Sequence, residues 1–537
     1  MRGSLLFCVV IACSLFSSCD GNRSNRTKII TSDTLITVVE SNPEVKPYPA
    51  MQLPSVESLK YEVDIFDSLH SGVIDDLADL YADAPGVLTF RGNLLRNADF
   101  AGRVKGRPDT LVVNWSFDTS SDNRETSVGT WGGGTGWTGQ PLYVCWPDSM
   151  LQRFRNELKV EGCKLTKKEV VFGSLCSRIY FLDFETGKPT RPSIDVLNPI
   201  KGTVSLDPFM NGNLYVGQGV PAVEPVGALC VNLFRHDISH FFGRDPKAWR
   251  GWPAYDSSPV RVGQFLIRPG ENGTLYKFLV ENDGSLSIHS TLRFRKKNSY
   301  VAGGIESSIA IVRNYGVIGD NHGSVVCVDL NTMQPVWYYN LGDDIDATPV
   351  IEMEGETPYV YVGCEVDRQG TEGVAKLAKI NALDGCEVWC LKSRSYKTID
   401  GEKHFDGGYY ATPLLGKGNC ENELFVNFVE NSPDGRQPGY FVAVSKKTGE
   451  VLYRVKLRHY AWSSPVQFLN EKDECFVLTA DTYGNVYVIE GKSGVVLCRH
   501  CIGSNFESSP VVIGNQIILG SRGKTIYKVT VANRKKS

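Results

Sequence analysis

The amino-acid sequence predicts an all-β fold: an eight-bladed β-propeller of four-stranded antiparallel blades, its last blade closed by an N-terminal strand. Three observations carry this. A small residue, then Ser or Thr, then Pro and an apolar run recur, as in "AYDSSPVRV" (254–262), "YYATPLLGK" (409–417), "YAWSSPVQF" (460–468) and "NFESSPVVI" (505–513). A turn followed by a strand closing on Trp or Tyr also recurs, as in "DLNTMQPVW" (329–337), "NALDGCEVW" (381–389) and "SKKTGEVLY" (445–453). Finally, the last strand pattern, "TIYKVTV" (525–531), lacks a fourth strand, and the body opens on a lone one, "TLVVNWSF" (110–117).

Each part has a physical reason. Pro at a strand's first residue removes a backbone donor that would otherwise need a partner. Small residues beside it let strands converge on an axis. Asp/Asn-x-x-Thr-Gly supplies a hairpin turn with Gly where φ must be positive. The closing Trp or Tyr covers apolar surface between neighbouring sheets. Eight anchors align: Pro141, Pro208, Pro259, Ile309, Pro349, Pro413, Pro465 and Pro510, spaced 40 to 67 residues apart. Four short strands at that period describe propeller blades rather than a solenoid.

In chain order, residues 1–19 read as a targeting segment, with Arg2 ahead of the apolar run "LLFCVVIACSLF" (5–16). Twelve apolar residues are too few to span a membrane. The ending "SSC" resembles a bacterial lipoprotein signal, which implies lipidation of Cys19, a lipid anchor and a place in the cell envelope. Residues 20–60 are polar and proline-containing and read as a flexible tether. In 61–109, Ile65, Leu69, Val73, Leu77 and Leu80 stand at helical spacing and predict a short helix before "PG" at 85–86. The propeller occupies 110–531, and 532–537 is a basic tail. With 57 Lys+Arg against 60 Asp+Glu, the chain lacks the basic surface that a nucleic-acid partner requires.

The combination of Asp-x-x-Thr-Gly, a following Trp, Ser-Ser-Pro-Val and Gly-x-apolar-Tyr resembles the quinoprotein-type propeller repeat. Pyrroloquinoline quinone dehydrogenases and BamB-like lipoproteins of outer-membrane protein assembly share it. "FRGNLLRNADFAG" (90–102) resembles the stretch before the first blade in that superfamily. The resemblance spans about 90–531 and is strongest in blades five to eight. It implies one of two functions: quinone-dependent oxidation, or scaffolding of an envelope partner without catalysis. The dehydrogenases need groups for the quinone's three carboxylates, a stacking Trp, a Ca²⁺ with acidic ligands and a general-base Asp. Many also carry adjacent cysteines, and this chain has no Cys-Cys pair.

Residues three before each anchor should face the channel mouth: Thr138, Ser205, Asp256, Glu306, Asp346, Tyr410, Trp462 and Glu507. The ring before it reads Trp137, Val204, Tyr255, Ile305, Ile345, Tyr409, Ala461 and Phe506. Neither ring holds a basic residue, so a tricarboxylate would be repelled. Trp137, Asp256, Glu306, Asp346, Tyr410, Trp462 and Glu507 are the candidate binding residues, suited to cations, peptides or sugars. The plain alternative is that they cap strands and pack under loops.

No catalytic residue, resident metal or cofactor is predicted, and an envelope protein is the expected partner. A sugar- or peptide-binding protein, or a quinone dehydrogenase, is the alternative. "WGGGTGW" (131–137) lacks the Lys-Ser/Thr of a phosphate cradle. His236 and His240 would share a metal only on a helix. Cys498 and Cys501 should point to opposite faces of a strand. The twelve cysteines after Cys19 read mainly as small buried hydrophobes.

Overall fold

The computed structural model describes residues 39–40, 55–97, 101–136, 139–281, 284–400 and 403–534. They form an eight-bladed propeller of antiparallel sheets around a central channel. From the axis outward, blade one is Leu142–Cys145, Lys168–Gly173, Arg178–Asp183 and Ile194–Asp195. Blade two is Ser205–Leu206, Asn213–Gly217, Ala228–Asn232 and Asp237–Phe242. Blades three to seven repeat the order, beginning at Val260, Ala310, Val350, Leu414 and Val466. Blade eight takes Val511–Ile513, Gln516–Gly520 and Thr525–Ala532 from the end of the chain. Its outer strand is Thr110–Asp118, with Trp115 opposite Lys528, so the first and last strands close the ring as expected.

The closing aromatics act on the turn glycines. Trp115 lies over Gly187 of blade one, where an added Cβ would come within 2.5 Å of the indole, and its Nε1 donates to the Phe184 carbonyl (3.0 Å). Trp389 repeats this on Gly449 of blade six, donating to the Lys446 carbonyl (2.9 Å). Tyr453 does the same on Gly494, donating to the Gly491 carbonyl. All three glycines have positive φ, so turn shape and ring clearance both demand Gly.

The Ser or Thr before the anchors of blades three to eight also has a job. Around the channel, Ser258 N–H donates to the Ser308 hydroxyl (2.8 Å), Ser308 N–H to Thr348 (3.0 Å), and Thr348 N–H to Thr412 (3.2 Å). Thr412 N–H then donates to Ser464 (3.1 Å) and Ser464 N–H to Ser509 (3.4 Å). This belt ties blade to blade where no sheet bond can reach.

The N-terminal extension holds no helix over 62–84. Leu59–Ile65 instead forms a fifth strand on the outer edge of blade three, paired with Ser290–Lys296. The residues beyond it turn repeatedly. Asp67 accepts from the Leu69 and His70 amides, Asp76 from Ala78, and Asp79 from Tyr81 and Ala82. Such local bonds compete with a helix. Most of the supposed apolar stripe is exposed, Leu69 at 93%, while Leu80 is half-buried and Ile74 and Tyr81 are buried. Val39–Glu40 pairs with Arg454 and Val455 on the outer edge of blade six, inside the stretch expected to be a plain tether. Cys19 and the rest of 1–38 lie outside the described residues.

Residues 86–97 and 101–104 lie in the hub. Gly86–Val87 pairs on the axial edge of blade one and Gly102–Arg103 on that of blade seven, and residues 88–97 bond to the inner ends of the blades. The Leu88, Leu94 and Leu95 carbonyls accept from Leu206, Ile311 and Ile351 (2.8, 2.7 and 2.9 Å). Arg96 is fully buried. It donates to the carbonyls of Ile309 (2.8 Å), Phe90 (2.7 Å) and Ser258 (2.9 Å) and to the Thr89 hydroxyl (3.0 Å). Arg91 donates to the Pro465 and Thr412 carbonyls (3.0 and 3.1 Å).

Candidate functional site

The expected register of blade two is four residues out. Ser205 pairs with Tyr215 as Val260 pairs with Ile267 in blade three, so Val204 occupies the anchor position. Pro208 lies past the strand, in the turn where the Met210 amide donates to the Asp207 carbonyl (3.0 Å). Packing agrees: an added Cβ on Gly173 would meet Ile200, as one on Gly319 would meet Ile345 and one on Gly363 would meet Tyr409. The residue three before the anchor in blade two is therefore Lys201, not Ser205. The ring holds a cation, against expectation. Trp137 and Thr138 lie outside the described residues.

Lys201 sits among acids. Its Nζ contacts Asp256 and lies 3.6 Å from Glu306 and 3.9 Å from Glu271. Burial works against the ammonium, but Asp256, Glu271 and Glu306 outweigh it and hold the Lys201 pKa well above its usual value. Burial pushes the Asp256 carboxyl up to about 6 against the pull of Lys201. Burial, then the charges of Asp256 and Glu306, push Glu271 well above the usual range. The three carboxylates can each offer an oxygen within 4.8 Å of the others, as a metal would require, but the Lys201 ammonium is already among them.

A second acidic group faces the mouth from blades five and six. Glu365 is 2% exposed; burial, then Asp346, Asp344 and Asp406, raise its carboxyl well above the usual range. Asp344 is raised for the same reasons, burial first and then Asp346. Lys397 pairs with Asp367 and Asp406 at the edge of this group. Tyr410 hydrogen-bonds Glu365 and stacks on Trp462, with ring centroids 4.8 Å apart. Tyr460 lies 5.1 Å beyond Trp462. Across the mouth, buried Glu507 meets Arg522 at 3.4 Å. Trp131, from the Gly-rich loop, lies between the two cations, its ring 5.0 Å from Arg522 and 5.8 Å from Lys201.

The structure thus brings Asp256, Glu306, Asp346, Tyr410, Trp462 and Glu507 together around one opening. A pit lined by Glu306, Asp346, Tyr410 and the belt hydroxyls ends on Phe90 of the hub segment. Sequence reasoning missed Lys201, Glu271, Asp344, Glu365, Arg522 and Trp131. Glu271 and Glu365 were within reach: they stand one and two residues after the Gly that ends a second strand, Gly270 and Gly363, at the same end of the sheet.

The remaining motifs stay apart from this opening. His236 lies in a turn and His240 on a strand, not on a shared helix. Cys498 is buried and Cys501 exposed on one strand, as alternation requires.

The residues at the mouth do not fit a quinone tricarboxylate. Lys201 and Arg522 are already engaged by Asp256, Glu271, Glu306 and Glu507, and the added ligand charge would lie against Asp346 and Glu365 as well.

No protein-family model matches the chain, and no curated protein sequence matches it. Its solved likenesses are structural. Quinohemoprotein alcohol dehydrogenase from Comamonas testosteroni superposes with a TM-score of 0.55 at 12% identity, covering 85% of this chain and 82% of that one. Quinohemoprotein alcohol dehydrogenase ADHIIG from Pseudomonas putida HK5 gives 0.55 and 12%, covering 87% and 83%. BamB from Moraxella catarrhalis gives 0.46 and 15%, covering 70% and 96%. The chain is an eight-bladed propeller. Its fold is that of the quinoprotein-type propellers, and identities this low speak to the fold alone.

Proposed function

We propose that this protein is a non-catalytic binding propeller of the cell envelope, anchored through a lipid on Cys19, that holds a cationic segment of a partner protein in its channel mouth. One observation carries the reading: buried carboxylates and stacked aromatics converge on a mouth whose far side is filled by the chain's own hub segment. The carboxylates Glu365, Asp344 and Asp346 repel one another, so a cation arriving beside them relieves that repulsion. The Tyr410–Trp462 stack offers the ring faces that favour a cation's approach. Scaffolding by such a surface agrees with the BamB-like repeat read from the sequence, and the lipoprotein-like ending at Cys19 supports the envelope placement. Among the described residues, no helix is long and apolar enough to cross a membrane.

The test is capture from detergent-solubilised envelope by the wild-type protein and by Trp462→Ala and Glu365→Gln. A partner retained by the wild type, and lost from both variants while they stay folded, supports the reading. Quinone binding should be measured in parallel with and without Ca²⁺, which is able to convert repelling carboxylates into ligands. Micromolar Ca²⁺-dependent quinone binding that disappears in Asp256→Ala would replace this reading with the dehydrogenase one.

A further inference from the structure

Two thiols outside the channel meet between blades six and seven. Cys420 ends the 3₁₀ turn Gly418–Cys420 that follows the first strand of blade six. Cys475 opens Cys475–Ala480, the second strand of blade seven. Both side chains are buried, at 0% and 1% exposure. The backbones are fastened side by side: the Asn419 amide donates to the Asp473 carbonyl (2.9 Å), and the Cys475 amide donates to the Asn419 side-chain oxygen (2.8 Å).

Both sulfurs point at one glycine. A Cβ added to Gly491 would lie 3.0 Å from the Cys420 sulfur and 3.2 Å from the Cys475 sulfur. No positive φ explains that glycine; the space for two sulfurs does. The Cys420 thiol donates to the Asn419 side-chain oxygen (3.4 Å) and the Cys475 thiol to that of Gln467 (3.5 Å), and the neighbouring Cys475 thiol, then burial, pushes the Cys420 thiol far above its usual value. Each is free in this structure. The other buried cysteines, such as Cys327 within a strand of blade four, have no second sulfur placed this way by the described contacts.

We propose that Cys420 and Cys475 are a redox pair that closes to a disulfide linking blade six to blade seven when the chain folds in an oxidising compartment. The oxidant is a protein or small-molecule disulfide donor. The Cys420 thiolate attacks one donor sulfur to form a mixed disulfide, and the Cys475 thiolate then attacks Cys420, expelling the donor's second thiolate. One bond forms between the two cysteines, the donor's disulfide is reduced to two thiols, and two electrons pass to it. Attack must precede full burial, since the folded pair is sealed from solvent and its thiolates are disfavoured. The loop closed runs through the remaining three strands of blade six and the first of blade seven, so the unfolded chain loses freedom and the folded ring gains stability. The occurrence of the bond in the cell rests on the envelope placement; the geometry of the pair does not.

The experiment uses the full-length protein purified with iodoacetamide present throughout, and a second sample refolded from urea in oxidised and reduced glutathione. Each is digested without reductant and mapped by mass. A linked peptide pair containing Cys420 and Cys475 in both samples, with a melting midpoint that dithiothreitol lowers in the wild type but not in Cys420→Ser/Cys475→Ser, is the expected result. A linked pair only in the glutathione sample upholds the site and removes the oxidising compartment. Both cysteines fully alkylated in both samples overturns the proposal. Because the double variant loses two buried sulfurs, Cys420→Ala/Cys475→Ala serves as a second control, and it too should show no response to dithiothreitol.

Discussion

Replacing Arg96 with Met tests whether the hub segment holds the ring together. The guanidinium is fully buried and donates to three carbonyls and one hydroxyl, contributed by blades three and four and by the segment itself. Burial, opposed by Tyr81 and Asp79, lowers its pKa to about 10, so it stays charged at neutral pH. A buried carbonyl left without a donor costs about 1–3 kcal/mol. Relief from desolvating the charge returns part of that sum, so the net loss should be about 3–5 kcal/mol. Met keeps the length of the side chain, which limits the cavity. Urea unfolding followed by tryptophan fluorescence gives the energy. Hydrogen exchange at the Ile311 and Ile351 amides, which donate to the Leu94 and Leu95 carbonyls, reports whether the segment has loosened. A loss below about 1 kcal/mol with unchanged exchange at both amides would refute a structural role for the segment.

Other outcomes follow from the same structure. Trp115→Ala should cost roughly 2 kcal/mol, below the ~3–5 of a fully buried Trp, because Trp115 is only half-buried; equilibrium unfolding checks this. The raised Asp256 carboxyl stays protonated in the folded protein up to about pH 6, whereas in the unfolded chain it ionises near its ordinary value. Its contribution to stability is therefore complete below about pH 4 and is lost as pH rises through 6, so Asp256→Asn should flatten the urea midpoint across that window. Cys19→Ala should leave a protein of unmodified mass that departs from the membrane fraction; unchanged mass and unchanged fractionation would remove the anchor.

The blade count and the ring closure were legible because both rest on local chemistry. Pro, Gly and Trp or Tyr each solve a backbone or packing problem that recurs at the same point of most blades. Blade two misled because its Pro208 sits in a turn, while its true anchor, Val204, has no feature that distinguishes it from any other strand residue. The helix expected over 62–84 failed because periodicity ignores partners: the exposed edge of blade three was available to Leu59–Ile65, and aspartates turned the chain after it. At the mouth, ring positions were found by counting back from the anchors. Arg522 and Trp131 come from connections whose reach no count predicts.

The hub segment has a kinetic consequence. Among the described residues, Phe90 closes the floor of the pit, with Arg91 and Arg96 bonded to carbonyls of the inner strand ends behind it, so the way to the opposite face is barred. Whatever enters must depart along its own path, and while it stays, it bars the way to a rival. Exchange of one occupant for another would then proceed at the pace of departure, and adding more competitor would not hasten it.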